Sequence, residues 1–177
     1  MEEPSSLIQA CRLWFPIFTI CASLSIHPVE SRSQLIGDVC ARTRFIDYCK
    51  HALMSDPSSR GANLHQLGDI SIGLTLSSAQ RSVEKADQLI GRTRDIVLAG
   101  KLRKCKEAYN SAAGQMRQAR QMWGSGNVGG TRNAAFASIQ MVFACRDALG
   151  GSERELSGNN RDIEYLSHIV LVIVDFK

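Results

Sequence analysis

The sequence has few aromatic residues and few prolines, and each scarcity narrows the choice of fold. Phenylalanine, tryptophan and tyrosine make up 6% of the 177 residues, so small aliphatic side chains must fill most of the core. The four prolines form no linker near the middle of the chain, which indicates one domain. No segment alternates apolar and polar residues over a useful length, as paired strands would. These absences predict an all-α fold.

Recognisable catalytic and metal-binding motifs are also missing. The four histidines are scattered, and no cysteines have zinc-ligand spacing, so the sequence predicts no metal and no cofactor. No Gly-x-Ser-x-Gly elbow occurs. Gly124 to Gly129 matches a dinucleotide-binding pattern, but a helical pattern precedes it where a strand is needed. We interpret that segment as a turn between helices and expect a protein that is not an enzyme.

Only one apolar run stands out, near the N-terminus. Leu13 to Leu24 carries no charge, and at about a dozen residues it is too short to span the roughly 30 Å of a bilayer core. We interpret residues 1–25 as a signal peptide whose end falls between residues 23 and 30. The sequence therefore predicts secretion, no membrane attachment after cleavage and no nucleic-acid partner.

Cleavage would leave four cysteines and a basic chain. Cys40, Cys49, Cys105 and Cys145 remain, and in an oxidising compartment they imply two disulfides with three conceivable pairings. From about Ser31 the chain has 20 Lys and Arg against 14 Asp and Glu, a net charge of +6. This charge indicates either an ordinary solvated surface or attraction to an acidic partner or polysaccharide.

Four segments repeat apolar residues at alternating steps of three and four, which predicts four amphipathic helices. They cover Lys101–Trp123, Ile72–Ile90, Ala135–Leu149 and Asn159–Phe176. The Ile72–Ile90 pattern could extend from near Gly61 to about Leu98, with Gly100 as its stop. Gly150 would end the third helix, and Asn159 or Asn160 would cap the last. The β-branched tail of the last segment could also form a strand, but no partner strand is predicted.

Four long helices with short connections predict an up-down-up-down bundle, and that topology selects the disulfides. Cys105 and Cys145 each lie twenty residues from Ser125, on the seams of two neighbouring helices, so they should meet. Cys40 and Cys49 would then pair and close a short hairpin. We assign residues 31–56 to an N-terminal α-hairpin and residues 61–177 to the bundle.

Trp123 ends one predicted helix, and three arginines lie around the same turn: Arg117, Arg120 and Arg132. Together they could form a binding hot spot. We favour the other interpretation, in which the indole closes the bundle and the arginines are solvated.

The cysteine frame and several short segments resemble the plant invertase and pectin methylesterase inhibitor family, from about Ser33 to the C-terminus. Leu35–Cys40 and Asp47–Cys49 resemble its opening hairpin, Ser55–Ser59 its Asp-Pro-x-Ser break, Cys105–Tyr109 its Cys-x-x-x-Tyr signature and Phe143–Asp147 its final Thr-Cys-x-Asp. Leu67–Ser71 resembles the pollen-allergen-like branch that is classed as invertase inhibitors. Two features differ from the family. Its Pro-Lys-Phe element, which invertase inhibitors insert into the target's cleft, is replaced by Gly124–Arg132, and Ala144 replaces the threonine.

The resemblance implies a hairpin on a four-helix bundle and reversible blocking of an enzyme. It leads us to expect a secreted inhibitor of a cell-wall or vacuolar acid invertase, located in the apoplast or the vacuole. Pectin methylesterase is the alternative target, and family inhibitors of that enzyme use exposed helix faces. A non-inhibitory protein that binds pectin through its positive charge is an alternative of another class. The sequence assigns no partner-contacting residue.

Overall fold

Helices account for nearly all of the chain that the computed structural model describes, residues 29–150 and 154–176. The predicted signal peptide over residues 1–25 lies outside these ranges. The α-helices are α1 Val29–Ala41, α2 Ile46–Met54, α3 Leu64–Arg92, α4 Ile96–Gly124, α5 Val128–Leu149 and α6 Ser157–Val174. Short 3-10 turns cover Pro57–Gly61 and Arg154–Leu156. No strand occurs in these ranges, so the all-α prediction is confirmed, including for the tail.

Side-chain caps decide where the long helices begin. The Asn63 side chain accepts from the backbone N–H of Gln66, whose own side chain accepts from the N–H of Asn63. This reciprocal pair starts α3. Asp95 accepts from the N–H groups of Val97 and Leu98 and thereby starts α4. Gly100 lies inside α4, so the prediction that it ends the preceding helix is wrong. The Asp95 side chain satisfies the unpaired backbone N–H groups at the start of a new helix, and this helix has already begun where Gly100 occurs.

The last helix also begins earlier than predicted. Ser157 is its first residue, and the 3-10 turn Arg154–Leu156 leads into it, so neither Asn159 nor Asn160 is the N-cap. Both asparagines instead make contacts between helices. The Asn159 amide donates to Ser82 Oγ at 3.0 Å, and buried Asn160 accepts from the Tyr109 hydroxyl at 2.9 Å. Because these amides form hydrogen bonds to other helices, they do not serve as N-caps, although asparagine favours that position.

The four long helices α3 to α6 form an up-down-up-down bundle in which each packs against its two neighbours, with α6 closing against α3. Small side chains fill much of the core, including Ala79, Ala112 and Ala135. This confirms the expectation from the scarcity of aromatic residues. Gly150, at φ 57°, ends α5 in the left-handed conformation, as predicted.

Disulfides join Cys105 to Cys145, the pair that the bundle topology predicts, and Cys40 to Cys49, the pair that then remains. All four cysteines are buried. The second bond links α4 to α5, with its Cα atoms 4.4 Å apart, and the Tyr109 hydroxyl lies 3.3 Å from Cys145 Sγ. Burial raises the pKa of Tyr109, so this phenol stays protonated. Its hydrogen bond to Asn160 extends the link from the α4–α5 disulfide to α6.

The α1–α2 hairpin docks on α6 through aromatic rings. The Phe45 ring stacks on that of Tyr165 with centroids 3.9 Å apart, and the Tyr48 ring meets Tyr165 edge to face. The Tyr48 hydroxyl donates to Asp162 at 3.2 Å. Burial, and then the neighbouring Asp162 carboxylate, raise the pKa of Tyr48. The three aromatic residues therefore hold the hairpin on one side of the bundle.

Candidate functional interface

Two phenylalanines are exposed on α5, which is unusual in a chain with so few aromatic residues. Phe136 is 55% exposed and Phe143 is 37% exposed. They are seven residues apart, so they lie on one face of the helix, separated by two turns or about 10.5 Å. Exposed aromatic rings on a rigid helix are typical anchors of protein–protein interfaces.

An arginine flanks each ring and is held by a carboxylate on α6 or at its C-cap. The Arg132 guanidinium forms a two-pronged pair with Asp175, in which Nη1 donates to Oδ2 at 2.6 Å. Arg146 forms an ion pair with Glu164, and its guanidinium carbon lies 5.5 Å from the centre of the Phe143 ring. These pairs fix the arginine side chains and draw α5 and α6 together. We call Arg132, Phe136, Phe143 and Arg146 the aromatic ridge.

The predicted hot spot around Trp123 is not formed. The indole is 8% exposed, its N–H donates to the His65 carbonyl at 2.9 Å, and the His65 ring stacks on it. Gly68 permits this packing, because a Cβ there would lie 2.4 Å from the indole. Arg132 turns away to Asp175, the C-cap of α6. Trp123 closes the bundle, which is the interpretation that the sequence favours.

The glycine-rich segment after Trp123 is a turn between helices, as predicted. α4 ends at Gly124 and α5 begins at Val128, so the segment contains no strand-to-helix junction that could cradle a pyrophosphate. Gly126 adopts φ 74°, a conformation that favours glycine. The Asn127 side chain accepts from the Gly130 N–H and caps α5.

A cleft lies where the hairpin turn meets α6. This cleft of about 530 Å³ is lined by residues 42–45 and by Glu164, Tyr165, His168 and Val172. Desolvation lowers the pKa of His168 and Arg44 lowers it further, while Glu164 opposes the shift. Glu164 also pairs with Arg146, so the cleft adjoins the aromatic ridge.

Within residues 29–150 and 154–176, no three His, Cys, Asp or Glu residues come together as metal ligands would. No helix in these ranges is long and apolar enough to span a membrane.

The sequence profile described as plant invertase/pectin methylesterase inhibitor matches residues 34–173. The chain belongs to the plant invertase/pectin methylesterase inhibitor family.

Relatives in this inhibitor family carry the names of both target enzymes. A pectinesterase inhibitor of Actinidia deliciosa is 30% identical over 161 residues, covering 89% of this chain and 87% of its own. Pectinesterase inhibitor 2 of Arabidopsis thaliana is 24% identical and covers 88% of each chain. A cell wall/vacuolar inhibitor of fructosidase of Arabidopsis thaliana is 31% identical over 100 residues, 56% of each chain.

Solved structures of the family share the fold. The crystal structure of a mutant form of a pectin methylesterase inhibitor from Arabidopsis matches with a TM-score of 0.71 and 23% identity, covering 78% of this chain and 93% of that one. A second, from Arabidopsis thaliana, matches with a TM-score of 0.61 and 22% identity, covering 81% and 96%.

Sequence reasoning missed both phenylalanines of the ridge, although a signal was present. They lie out of phase with the α5 seam of Ala135, Val142 and Leu149, whose members are all buried. An aromatic residue outside a helix's apolar seam is expected to be exposed, and two of them seven residues apart mark one face.

Proposed function

We propose that this chain is a secreted protein inhibitor of pectin methylesterase, without catalytic activity of its own. In this proposal the aromatic ridge docks on the enzyme and the bundle covers the substrate cleft. The observation that carries the proposal is the exposed Phe136–Phe143 pair on a helix of a pectinesterase-inhibitor-like bundle.

The ridge has the physical features of an interface anchor. The arginines are already oriented by Asp175 and Glu164, so their side chains lose little further freedom on binding. The disulfide between Cys105 and Cys145 fixes α5 against α4, so the two rings are presented on a rigid support. Burying two such rings contributes on the order of 2 kcal/mol or more to binding when they occupy the centre of an interface.

The coverage of the relatives supports pectin methylesterase ahead of invertase. The two pectinesterase inhibitors align along 88–89% of this chain, whereas the fructosidase inhibitor aligns along 56%. In addition, the tight turn at Gly124–Val128 lacks the Pro-Lys-Phe element that invertase inhibitors insert into the cleft of their target. Acid invertase is the second candidate, because the shorter alignment reaches 31% identity.

The proposal includes secretion, with residues 1–25 removed as a signal peptide and the apoplast as the destination. Expression of the full chain in a secretory host, followed by N-terminal sequencing, tests this part. The secreted protein is expected to begin between residues 24 and 31. An N-terminus at Met1 would contradict it.

The decisive experiment is a paired inhibition assay with the secreted full chain. Pectin methylesterase is followed by proton release from esterified pectin, and acid invertase by glucose release from sucrose. We expect titratable, near one-to-one inhibition of the esterase and none of the invertase, and no activity of the chain alone on either substrate. Inhibition of invertase alone would contradict the proposed target, and inhibition of neither enzyme would contradict the inhibitor function.

A further inference from the structure

A polar groove lies between α3 and α4, on the opposite side of the bundle from the aromatic ridge. It encloses about 490 Å³, and its polar lining consists of Ser77, Gln80, Arg81, Glu84, Asn110 and Arg117. Val83 and buried Ala113 complete the lining and provide its apolar part. Neither the ridge nor the disulfides use these residues.

The cations of this groove are available to a ligand. Arg81 and Arg117 are exposed, and neither forms an ion pair or hydrogen bond with another residue of the described ranges. Glu84 is the one carboxylate among the residues that line the groove. Arg132 and Arg146 on the other face differ, because each is held by a carboxylate. The groove therefore attracts anions, and its two guanidinium groups suit planar carboxylates.

The walls of the groove are short stretches of two helices. Its lining runs from Ser77 to Glu84 on α3 and from Asn110 to Arg117 on α4, about 10.5 Å along each helix. Beyond one end, a Cβ on Gly73 would lie 3.1 Å from the Arg120 guanidinium, and beyond the other, Lys106 pairs with Asp87 at 2.6 Å. A groove of that length accommodates a short run of sugar units within an extended chain.

The other lining groups indicate which polymer. Gln80, Asn110 and Ser77 offer donors and acceptors that match sugar hydroxyls. Partly exposed Val83 offers apolar surface for the C–H face of a sugar ring. No aromatic side chain lines the groove, although sequence-tolerant binding of single-stranded nucleic acid depends on aromatic stacking. Hydroxyl groups and carboxylates on one extended chain are the chemistry of a polyuronate.

We propose that the α3–α4 groove binds a polyuronate, the de-esterified form of pectin. Binding of this ligand does not depend on the proposed inhibitor function. Only the biological role of that binding rests on the proposed function. Pectin methylesterase converts methyl esters into free carboxylates, so its product is the polymer that this groove fits. An inhibitor with such a groove collects where the enzyme has already acted.

Calorimetric titration of the secreted chain with oligogalacturonate tests the proposal without any enzyme, so its failure would leave the inhibition proposal standing. The double variant Arg81→Gln/Arg117→Gln is expected to bind at least about tenfold more weakly, because two charge-assisted hydrogen bonds are lost. The matched control Arg60→Gln/Arg154→Gln removes the same charge from exposed positions outside the groove. It is expected to change affinity less than about twofold.

Two further measurements distinguish sugar recognition from general attraction to polyanions. Asn110→Ala leaves the charge unchanged and is expected to weaken oligogalacturonate binding about threefold, without affecting any binding of polyglutamate. Fully methyl-esterified pectin is expected not to bind. An equal loss of affinity in the groove variant and the control variant would overturn the proposal. Equal affinity for polyglutamate and oligogalacturonate would also overturn it.

Discussion

The two faces of this bundle use arginine in different ways. On the α5–α6 face, Arg132 and Arg146 are neutralised by the carboxylates of Asp175 and Glu164 and flank two exposed phenylalanines. On the α3–α4 face, Arg81 and Arg117 have no such partners within the described part of the chain and border a polar groove. An arginine that is already paired orients its neighbours and contributes apolar stem surface, whereas an unpaired one retains attraction for anions. Net charge alone would not distinguish these faces.

The largest effect is expected from removing the scaffold that both faces share. Replacing Cys105 and Cys145 with alanine opens a long loop and should lower the free energy of unfolding by about 4 kcal/mol in the chain-entropy model. Replacing Cys40 and Cys49 should cost about 2.7 kcal/mol, because their loop is shorter. Urea unfolding of both variants measures the difference. If opening the Cys40–Cys49 bond lowered the free energy of unfolding more than opening the Cys105–Cys145 bond, this ranking would be contradicted. Loss of the binding activity of one face alone in the Cys105/Cys145 variant would contradict the view that both faces share this scaffold.

The next effect separates the faces. Phe136→Asp/Phe143→Asp places charges in the centre of the proposed enzyme interface and should raise the inhibition constant at least about 100-fold. Affinity for oligogalacturonate should stay within about twofold, since the groove lies across the bundle. Titration of pectin methylesterase and calorimetry measure the two quantities on the same preparation.

The control for that variant is Ile96→Asp/Val97→Asp. These residues are 85% and 69% exposed at the start of α4, and their replacement adds the same charge outside the ridge. Inhibition should be unaffected by it. If the control loses inhibition as strongly as the ridge variant, the ridge is not the interface.

A smaller effect is expected from breaking the buried hydrogen bond between Tyr109 on α4 and Asn160 on α6. Its loss should lower stability and leave both binding activities unchanged. Tyr109→Phe removes the donor to Asn160 Oδ1 and leaves a buried amide acceptor unsatisfied, at a cost of about 1–2 kcal/mol. Chemical unfolding measures this cost. Tyr165→Phe, which keeps the ring stacked on Phe45, is the comparison variant and should change stability less. An equal effect of both would contradict the role of the hydrogen bond.

The smallest effect concerns pH and the hairpin cleft next to the ridge. Because desolvation lowers the pKa of His168 in the folded chain, protonation favours the unfolded state. The contribution of neutral His168 to the free energy of unfolding is fully present above pH 6.5, the ordinary pKa. It is lost as the pH falls through the lower pKa that His168 has in the folded chain. Thermal unfolding of the wild type and His168→Gln between pH 7.5 and 4.5 should show a shallower acid-side decline in the variant. Parallel profiles would contradict this.

Periodicity and topology predicted much of the fold. The steps of three and four in α3 to α6 place the apolar residues on one face of each helix, and the structure buries members of each seam, from Ile72 to Ile173. Helix ends were less predictable. The sequence predicts Gly100 as a helix stop and Asn159 or Asn160 as a helix cap, but Asp95 starts α4 earlier and both asparagines bond to other helices. Capping depends on which side chain is free to turn back, and this is known only once the helices are packed.

The sites were harder to predict than the fold. The sequence places Arg117 and Arg120 beside Trp123, yet the indole packs inward against His65 and Gly68. Arg117 lines the α3–α4 groove and Arg120 lies against Gly73 of α3. Phe143 belongs to the segment that resembles the family's last cysteine motif and Phe136 to no recognised motif, so neither is marked by a motif as an exposed anchor. The ridge also depends on residues of different helical segments meeting at the surface, such as Arg146 with Glu164, and no single helix pattern contains that pairing.

The sequence by itself determined the helical class, the number of long helices and the pairing of Cys105 with Cys145. These follow from local spacing and from the length of the connection between two adjacent helices. Only the tertiary structure decided that Arg132 and Arg146 are paired, while Arg81 and Arg117 have no ion-pair partner among residues 29–150 and 154–176. Charge pairing and exposure depend on how antiparallel helices align side by side, and this alignment is set by the packing of the whole core.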